Sequence, residues 1–441
     1  MSARNATGFL PWRVVPIDLR APIPSLPTQP DLGGLHLVLW MDDVPIGDLR
    51  IGAGQLPMTA GALRALAARA VAPALGSRIL ERGFAARPGA GGPVTEGCPE
   101  LREVLALDEP LVRAGAALAA RAAAPAEHLS VVVCTHDRAA ELSRCLASLA
   151  RSTEPPDEIV VVDNAPQTQE TRRVAMQVPG VRYVAEPRRG LSIARNTGLR
   201  AATGELIAFT DDDAVVHPTW AARVRYGLRD PALVALTGLV LPAELATESQ
   251  LVFEHEFGGF GHGYRVLDFD AEFFRTLRWK GVPVWLVGAG ANMAFRRRAF
   301  ERVGGFDERL GAGAAGCSED SELWYRLLAA GERCRYDPAL VVHHYHRADE
   351  AALRAQARAY MRGHVAALLV QYERHRHAGN LLRLGAILPR YYASLLLSGC
   401  LHGFTLRTRL VRSELAGCLA GIAYYRAQRG AGAAPRPVAG P

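Results

Sequence analysis

The sequence predicts an α/β protein whose central sheet is largely parallel and covered by helices on both faces. Two observations carry that prediction. From residue 129 to about 346, short β-branched runs ("LSVVVCT", "EIVVVDN", "VRYVAEP", "ELIAFTDDD") alternate with amphipathic stretches, and strands alternating with helices form βαβ units. The first of those stretches has a single apolar face, because Leu142, Cys145, Leu146 and Leu149 recur at helical spacing. Asp137 stands where an N-cap would start that helix.

Two flanking regions differ in character. Residues 1–127 open on a Pro-rich run, pass through the strand-like "LHLVLWMDDVPIGDLRI" at 35–51, and change to the helical "AGALRALAARAVAPAL". A second Ala-rich stretch, "LVRAGAALAARAAAPAEH", ends at a linker. With no chemical constellation, this region reads as an accessory or interaction domain. The central domain spans 128–347, and 348–441 is helical with a disordered tail.

The most apolar part of the C-terminal region is "NLLRLGAILPRYYASLLLSGCLHGF" at 380–404, interrupted by Pro389-Arg390 and carrying Arg383. A spanning helix needs about 20 predominantly apolar residues. The run reads instead as a helix pair, either packed on the domain or lying at a membrane surface through 380–412, with Arg407, Arg409 and Arg412 facing anionic lipid. Ordinary core helices fit the same pattern.

At 441 residues, 49% of them hydrophobic and 22% charged, the chain can bury a sizeable core. Its net charge of +7 rests on arginine, since Lys280 is the only lysine. No Arg-rich block with interleaved aromatics occurs, so the charge does not indicate nucleic-acid binding. It suits an anionic phosphate ligand or membrane surface. The seven cysteines are scattered without C-x-x-C pairs, and the N-terminus lacks an apolar signal core. Both features place the chemistry in the cytoplasm.

In an open parallel sheet, ligands bind outside the carboxyl ends of the strands. Three strands end there in polar residues: Thr135-His136-Asp137-Arg138, Asp163-Asn164 and Asp211-Asp212-Asp213. Asp-Asn after a strand is also a common turn opener, so Asp163 alone stays ambiguous. The triple aspartate suits Mg²⁺ or Mn²⁺, which complete their shells with water and substrate phosphates. Asp211 and Asp213, two residues apart, form the natural metal-facing pair, and Asp212 points elsewhere, toward ribose or solvent. An acidic helix cap is the bland alternative, although capping needs one acid rather than three.

A diphosphate held by that metal would be a leaving group, and its displacement needs a base. The Gly/Ala run 311–316, flexible enough to close over a cleft, leads to Ser318-Glu319-Asp320 and then to a stripe of Leu323, Trp324, Leu327 and Leu328. Acids in a first helical turn ordinarily complement the dipole, with Ser318 as N-cap. As a carboxylate near a phosphate site, Asp320 is equally a proton acceptor. One of His343, His344 and His346 could complete the metal shell or touch the diphosphate.

Taken in order, "SVVVCTHDR", "EIVVVDN", "GLSIARNTGLRAATGELIAFTDDD", "VGAGANMAFRRRAFERVGGFDERLG", "SEDSELWYRLLAAGER" and "HYHR" resemble the glycosyltransferase family 2 pattern over about residues 128–347. The resemblance implies a GT-A fold and inverting transfer from a nucleotide-diphosphate sugar to a glycan, lipid-linked or small-molecule hydroxyl, with a divalent metal. It implies that Thr135 and His136 lie in the first nucleotide loop, Asp163 on the base, and Arg195 and Asn196 in support of the nucleotide. It makes Asp211 and Asp213 the metal-binding DXD pair, Asp320 the catalytic base, and His344 the histidine opening the closing motif. His136 stands where the family often has tyrosine. The segment "FEHEFGGFGHGYR" at 253–265 reads as acceptor-side, its Glu254 and Glu256 either lining a pocket or packing in a loop. A metal-dependent phosphoesterase or nucleotidyltransferase, and a non-catalytic sugar-nucleotide scaffold, are the rival readings.

Overall fold

The computed structural model describes residues 8–80, 127–403 and 405–429. The second Ala-rich stretch up to residue 126 and the expected tail lie outside the described residues.

The chain opens with a small sheet. Strand β1 (Trp12–Asp18) pairs parallel with β2 (Gly34–Met41), which turns at Asp42 into antiparallel β3 (Val44–Gly52). The strand-like run 35–51 is therefore a hairpin, because Asp42 adopts a left-handed φ of 54° and reverses the chain. Strand β1 forms within the Pro-rich run, and its Pro16 is tolerated because β1 is an edge strand. Helix α1 (Ala60–Leu80) packs on β3, with Leu37, Leu39, Ile46, Leu63 and Val71 in the core. This unit joins the larger one at Trp12, which bridges to Leu245, and at Asp43, which pairs with Arg223 at 2.7 Å.

The larger sheet holds β4 (Leu129–Thr135), β5 (Glu158–Asn164), β6 (Val181–Glu186), β7 (Leu206–Asp211), β8 (Ala214–Val216), β9 (Leu233–Pro242), β10 (Leu267–Phe269), β11 (Asn292–Arg296) and β12 (Arg333–His344). Its order is β10-β12-β9-β11-β7-β4-β5-β6, with β8 paired to β12. The half from β7 to β6 is parallel, as the βαβ pattern requires. The other half is mixed, since β11 runs antiparallel between β7 and β9.

Both faces of the parallel half are covered. Leu129, Val131 and Val133 pack with the Leu142, Cys145, Leu146 and Leu149 stripe of α2 (Ala139–Ala150). Val132 points the other way, into a core shared with Ala194 and Leu199 of α4 (Leu191–Ala201), while the short α3 (Glu170–Met176) precedes β6. Helix α4 lies so close to the sheet that a Cβ at Gly198 would stand 2.3 Å from Val132 Cγ1. Asp137 does not cap α2; it takes a left-handed φ of 51° and accepts the Gln167 N–H at 3.1 Å. The N-cap position falls to Arg138.

Four later helices frame the site: α5 (Trp220–Gly227), α6 (Glu248–His255), α7 (Glu319–Ala329) and α8 (Glu350–His375). Ser318 precedes α7 with a φ of 69° and makes no side-chain cap bond. The Leu323, Trp324, Leu327 and Leu328 stripe is buried as the spacing predicts.

Beyond α8 the expected helix pair is one continuous rod. A helical turn Gly379–Leu382, a π turn Arg383–Ile387 and α9 (Leu388–His402) follow without a break. Pro389 lacks an N–H and its ring crowds the carbonyl four residues back. The widened turn, closed by Leu388 N–H to Arg383 O, absorbs that mismatch. Within Gly379–Leu401, only 11% of the most apolar 18-residue stretch is buried, so the core-helix alternative fails.

Helix α10 (Val411–Gln428) returns to pack on α8, and a Cβ at Gly417 would stand 2.3 Å from Arg358 O. Together these two helices pin the Gly/Ala run 311–316. Arg362 donates to Ala314 O, Tyr424 Oη donates to Arg309 O at 2.9 Å, and a Cβ at Gly316 would meet Ala359 O at 2.6 Å. The run expected to be flexible is therefore a clamped turn.

Candidate active site

The three polar strand ends are neighbours. Thr135 lies opposite Asp163 across β4 and β5, and Cys134 lies opposite Asp211 across β4 and β7. One sheet edge thus collects the carboxylates, as the strand-end argument predicts.

Asp211, Asp213 and His344 form a cluster whose ligand atoms all lie within 4.8 Å of one another. Strand β8 explains how His344 arrives there: its Ala214 pairs with His344, so β12 ends beside the aspartates. His344 Nε2 lies 3.0 Å from Asp213 Oδ1. Two carboxylates with one imidazole, and room for water and phosphate oxygens on the half-exposed Asp211 side, fit Mg²⁺ or Mn²⁺. Of the three clustered histidines, His344 is the one that joins the cluster. Burial would raise the Asp213 carboxyl, but His344 and Arg138 outweigh it and hold it well below the usual range.

Asp212 departs from expectation. Instead of facing ribose or solvent it is buried, accepting Thr135 Oγ1 at 2.7 Å and Arg138 Nη1 at 2.6 Å. Burial pushes its carboxyl up to about 7 despite Arg138. The side chain alternates inward because its neighbours face the cleft, and Thr135 is occupied in holding it. Arg138 also donates to Asp213 Oδ2 at 2.9 Å, so one guanidinium spans both acids. Sequence reasoning left Arg138 without a role; its place directly after Thr135-His136-Asp137, opposite an acid triplet, was the available signal.

Behind the metal cluster, Arg195 of α4 is buried and reaches three elements. It donates to Asp211 Oδ1 at 3.1 Å, to Glu319 Oε1 at 2.5 Å and to Gly290 O at 3.3 Å. Asn196 holds the backbone of the turn before α7, donating to Phe306 O at 2.9 Å and accepting Phe306 N–H at 2.8 Å. Both residues, expected beside a nucleotide, are internal struts of the site's floor. Burial raises Glu319 to about 7 even with Arg195 against it.

Asp320 is half-buried in the first turn of α7, where Gly290 N–H and Ser321 N–H reach its two oxygens at 2.8 and 2.6 Å. Burial raises its carboxyl above the usual range, with Arg195 pulling the other way. That combination makes a positioned carboxylate of increased basicity.

Further along the edge, Asp163 accepts Tyr183 Oη at 2.8 Å through Oδ2, while its buried Oδ1 has no hydrogen-bond partner among the described residues. Such an acceptor needs a donor from outside the chain or a water. Burial raises this carboxyl too. His136 donates Nδ1–H to Asn164 O at 2.6 Å, which orients a partly exposed ring beside Asp163.

The family model described as glycosyl transferase family 2 matches residues 130–304. A glucosyl-dolichyl phosphate glucuronosyltransferase of Haloferax volcanii is 30% identical over 42% of this chain and 57% of its own length. A validoxylamine A glucosyltransferase of Streptomyces hygroscopicus subsp. limoneus is 33% identical over 46% of this chain and 48% of its own. The chain thus spans about half the length of these curated relatives. A solved mannosyltransferase from Pyrobaculum calidifontis, in complex with GDP-Man and Mn2+, is 20% identical over 73% of this chain and 97% of that one, with a TM-score of 0.45.

Proposed function

Residues 130–304 belong to glycosyl transferase family 2, and on that premise we propose that the protein is an inverting glycosyltransferase. It moves a sugar from a nucleotide-diphosphate donor to the hydroxyl of a glycan, lipid-linked or small-molecule acceptor. The observation that carries this reading is the convergence, on one sheet edge, of the Asp211, Asp213 and His344 cluster with an unpartnered buried acceptor on Asp163.

In this reading Asp163 Oδ1 takes an N–H of the base and the His136 ring stacks on it. Asp211, Asp213 and His344 hold Mg²⁺ or Mn²⁺, which when bound supplies charge stabilisation for the departing diphosphate. Arg195 fixes Asp211 against the floor, and through Glu319 it ties that residue to the helix carrying Asp320. Asp320 takes the acceptor proton as the new bond to the anomeric carbon forms and the bond to the diphosphate oxygen breaks. Attack from the face opposite the leaving group inverts the anomeric centre. Arg138 keeps Asp212 and Asp213 apart and aligned, and Thr135 and Asn196 act as scaffold.

The exposed rod of residues 379–402 supports contact with a membrane surface on the cytoplasmic side. Leu397, Leu401 and Leu419 are 61%, 69% and 71% exposed, and Trp279 adds a ring that is 65% exposed. Length and composition would allow a crossing. A single crossing would put α10 across the bilayer from α8, yet the two pack together, so the rod leaves and returns on one side. That topology suits a helix lying in the interface. Of the expected lipid-facing arginines, Arg409 and Arg412 are exposed, but Arg407 is buried and pairs with Glu414 at 3.0 Å. Its charge is already spent on that partner.

The reaction is tested by incubating the protein with Mn²⁺ and a panel of nucleotide sugars and acceptors, and by following nucleotide diphosphate and glycoside together. Release of pyrophosphate, or of no nucleotide product from any donor, would refute the assignment.

A further inference from the structure

Asp213, His344, His346 and Glu254 form one line of side chains, all buried. His344 Nε2 lies 3.0 Å from Asp213 Oδ1, His344 Nδ1 lies 3.2 Å from His346 Nδ1, and His346 Nε2 lies 3.0 Å from Glu254 Oε2. His344 ends β12, His346 follows two residues later, and Glu254 comes from α6, nearly a hundred positions earlier in the chain.

The protons along this line follow from what each group can do. An ionised carboxylate only accepts, so His346 Nε2 carries the hydrogen in its bond to Glu254. A neutral His346 then offers a lone pair at Nδ1, which takes the Nδ1–H of His344. His344 Nε2 faces Asp213 and the cluster, and it is the nitrogen whose hydrogen, held against Asp213 Oδ1 in the metal-free chain, a bound ion would replace. Ligating histidines commonly have their other nitrogen anchored by a carboxylate in this way, and the anchor sets both ring orientation and tautomer.

The surroundings hold the line rigidly. His346 sits against the rings of Phe253 and Phe260 at 4.7 and 5.9 Å between centroids, and its carbonyl accepts Gln250 Nε2 at 3.2 Å. Gly259 takes a left-handed φ of 57°, and a Cβ there would stand 2.3 Å from Glu254 Oε2. The loop therefore closes over the carboxylate and leaves Glu254 facing His346 rather than an open pocket.

We propose that Glu254 is a positioning residue for the metal centre: acting through His346, it fixes His344 in the tautomer whose Nε2 is the metal ligand. This inference rests on reading Asp211, Asp213 and His344 as the metal site. It assigns to the segment 253–265 a part in holding that site.

Titration of Mn²⁺ into the full chain by calorimetry tests it, with Glu254→Leu and Glu254→Gln beside the wild type. The leucine variant removes the acceptor and is expected to bind Mn²⁺ about 10- to 100-fold more weakly. The glutamine variant can still accept through Oε1 and is expected to bind close to wild type. In the Mg²⁺-loaded protein, ¹⁵N NMR should find His344 protonated at Nδ1 in the wild type and a tautomer mixture in Glu254→Leu. If the leucine variant does not fold, His346→Phe, which suits the ring cluster, carries the same expected loss. Equal Mn²⁺ affinity in wild type and Glu254→Leu, or in wild type and His346→Phe, overturns the relay and leaves the metal reading standing. No Mn²⁺ binding by the wild type overturns the metal reading and the relay with it.

Discussion

Arg195 donates to Asp211 Oδ1 at 3.1 Å from a wholly buried position, tying the last residue of β7 to the helix packed beneath it. The same guanidinium holds Glu319, one residue before Asp320. The metal-facing wall and the candidate base therefore share one support. Arg195→Lys keeps the charge but not the planar fork. It is expected to lower both Mn²⁺ affinity and turnover, whereas a residue serving only one of the two would lower only one; calorimetry and a transfer assay on the same preparation separate these results.

Asp320→Asn is expected to leave Mn²⁺ and donor binding close to wild type and to lower kcat by about 10² to 10⁴. Steady-state kinetics at saturating donor reads this directly. Wild-type turnover in the variant would remove Asp320 from the role of base.

Arg138 spans two acids, and for buried Asp212 it is the one cation in hydrogen-bond contact among the described residues. Arg138→Met leaves Asp212 with only Thr135 as donor and is expected to cost about 2 kcal/mol of stability, a value discounted for the partial exposure of Arg138. Denaturant unfolding in the absence of metal measures the loss. An unchanged midpoint would show that Asp212 is neutral or hydrated there.

Much of this architecture was legible in the sequence, and the parts that were not have a physical reason. Periodicity located β4, β5 and β7 and their polar ends, because a buried strand and an amphipathic helix write their burial into residue order. Which cation faces which acid is a matter of three-dimensional pairing, and neither Arg138 nor Glu254 carries a periodic mark. Asp212 was misread because its strand-end position says which way it alternates but not what waits on the inner side. Pro389 reads as a break in the sequence, since a π turn leaves no signature distinguishable from a loop. The clamp on residues 311–316 depends on α8 and α10, whose small residues reveal close packing only once the partner helix is known.

Acid stability should report on Glu186. Burial raises its carboxyl, but bonds from Arg188, Thr197 and the Arg188 N–H prevail and hold it at about 2. Its folded value lies below the unfolded one near 4.5, so its contribution is present above that pH and is lost as pH falls toward 2. Glu186→Gln is expected to cost on the order of 2 kcal/mol at pH 7 and to flatten the stability profile between those limits. Parallel pH profiles for wild type and variant would contradict this.

The apolar rod makes a separate prediction. Leu397→Glu combined with Leu401→Glu is expected to reduce binding to anionic phospholipid vesicles by at least about tenfold, since each leucine withdrawn from the interface forfeits roughly 1.5 to 3 kcal/mol. Co-sedimentation measures it, with soluble-acceptor transfer as the control for an intact site. Equal sedimentation of variant and wild type would place the rod against something other than lipid.

The most direct test of the central claim is product analysis of a single turnover with Mn²⁺ and the preferred nucleotide sugar, comparing wild type with Asp213→Asn. The account predicts one nucleotide diphosphate per glycoside formed, an inverted anomeric centre, and loss of both products in the variant. A retained anomeric configuration, or full turnover by Asp213→Asn, would contradict it.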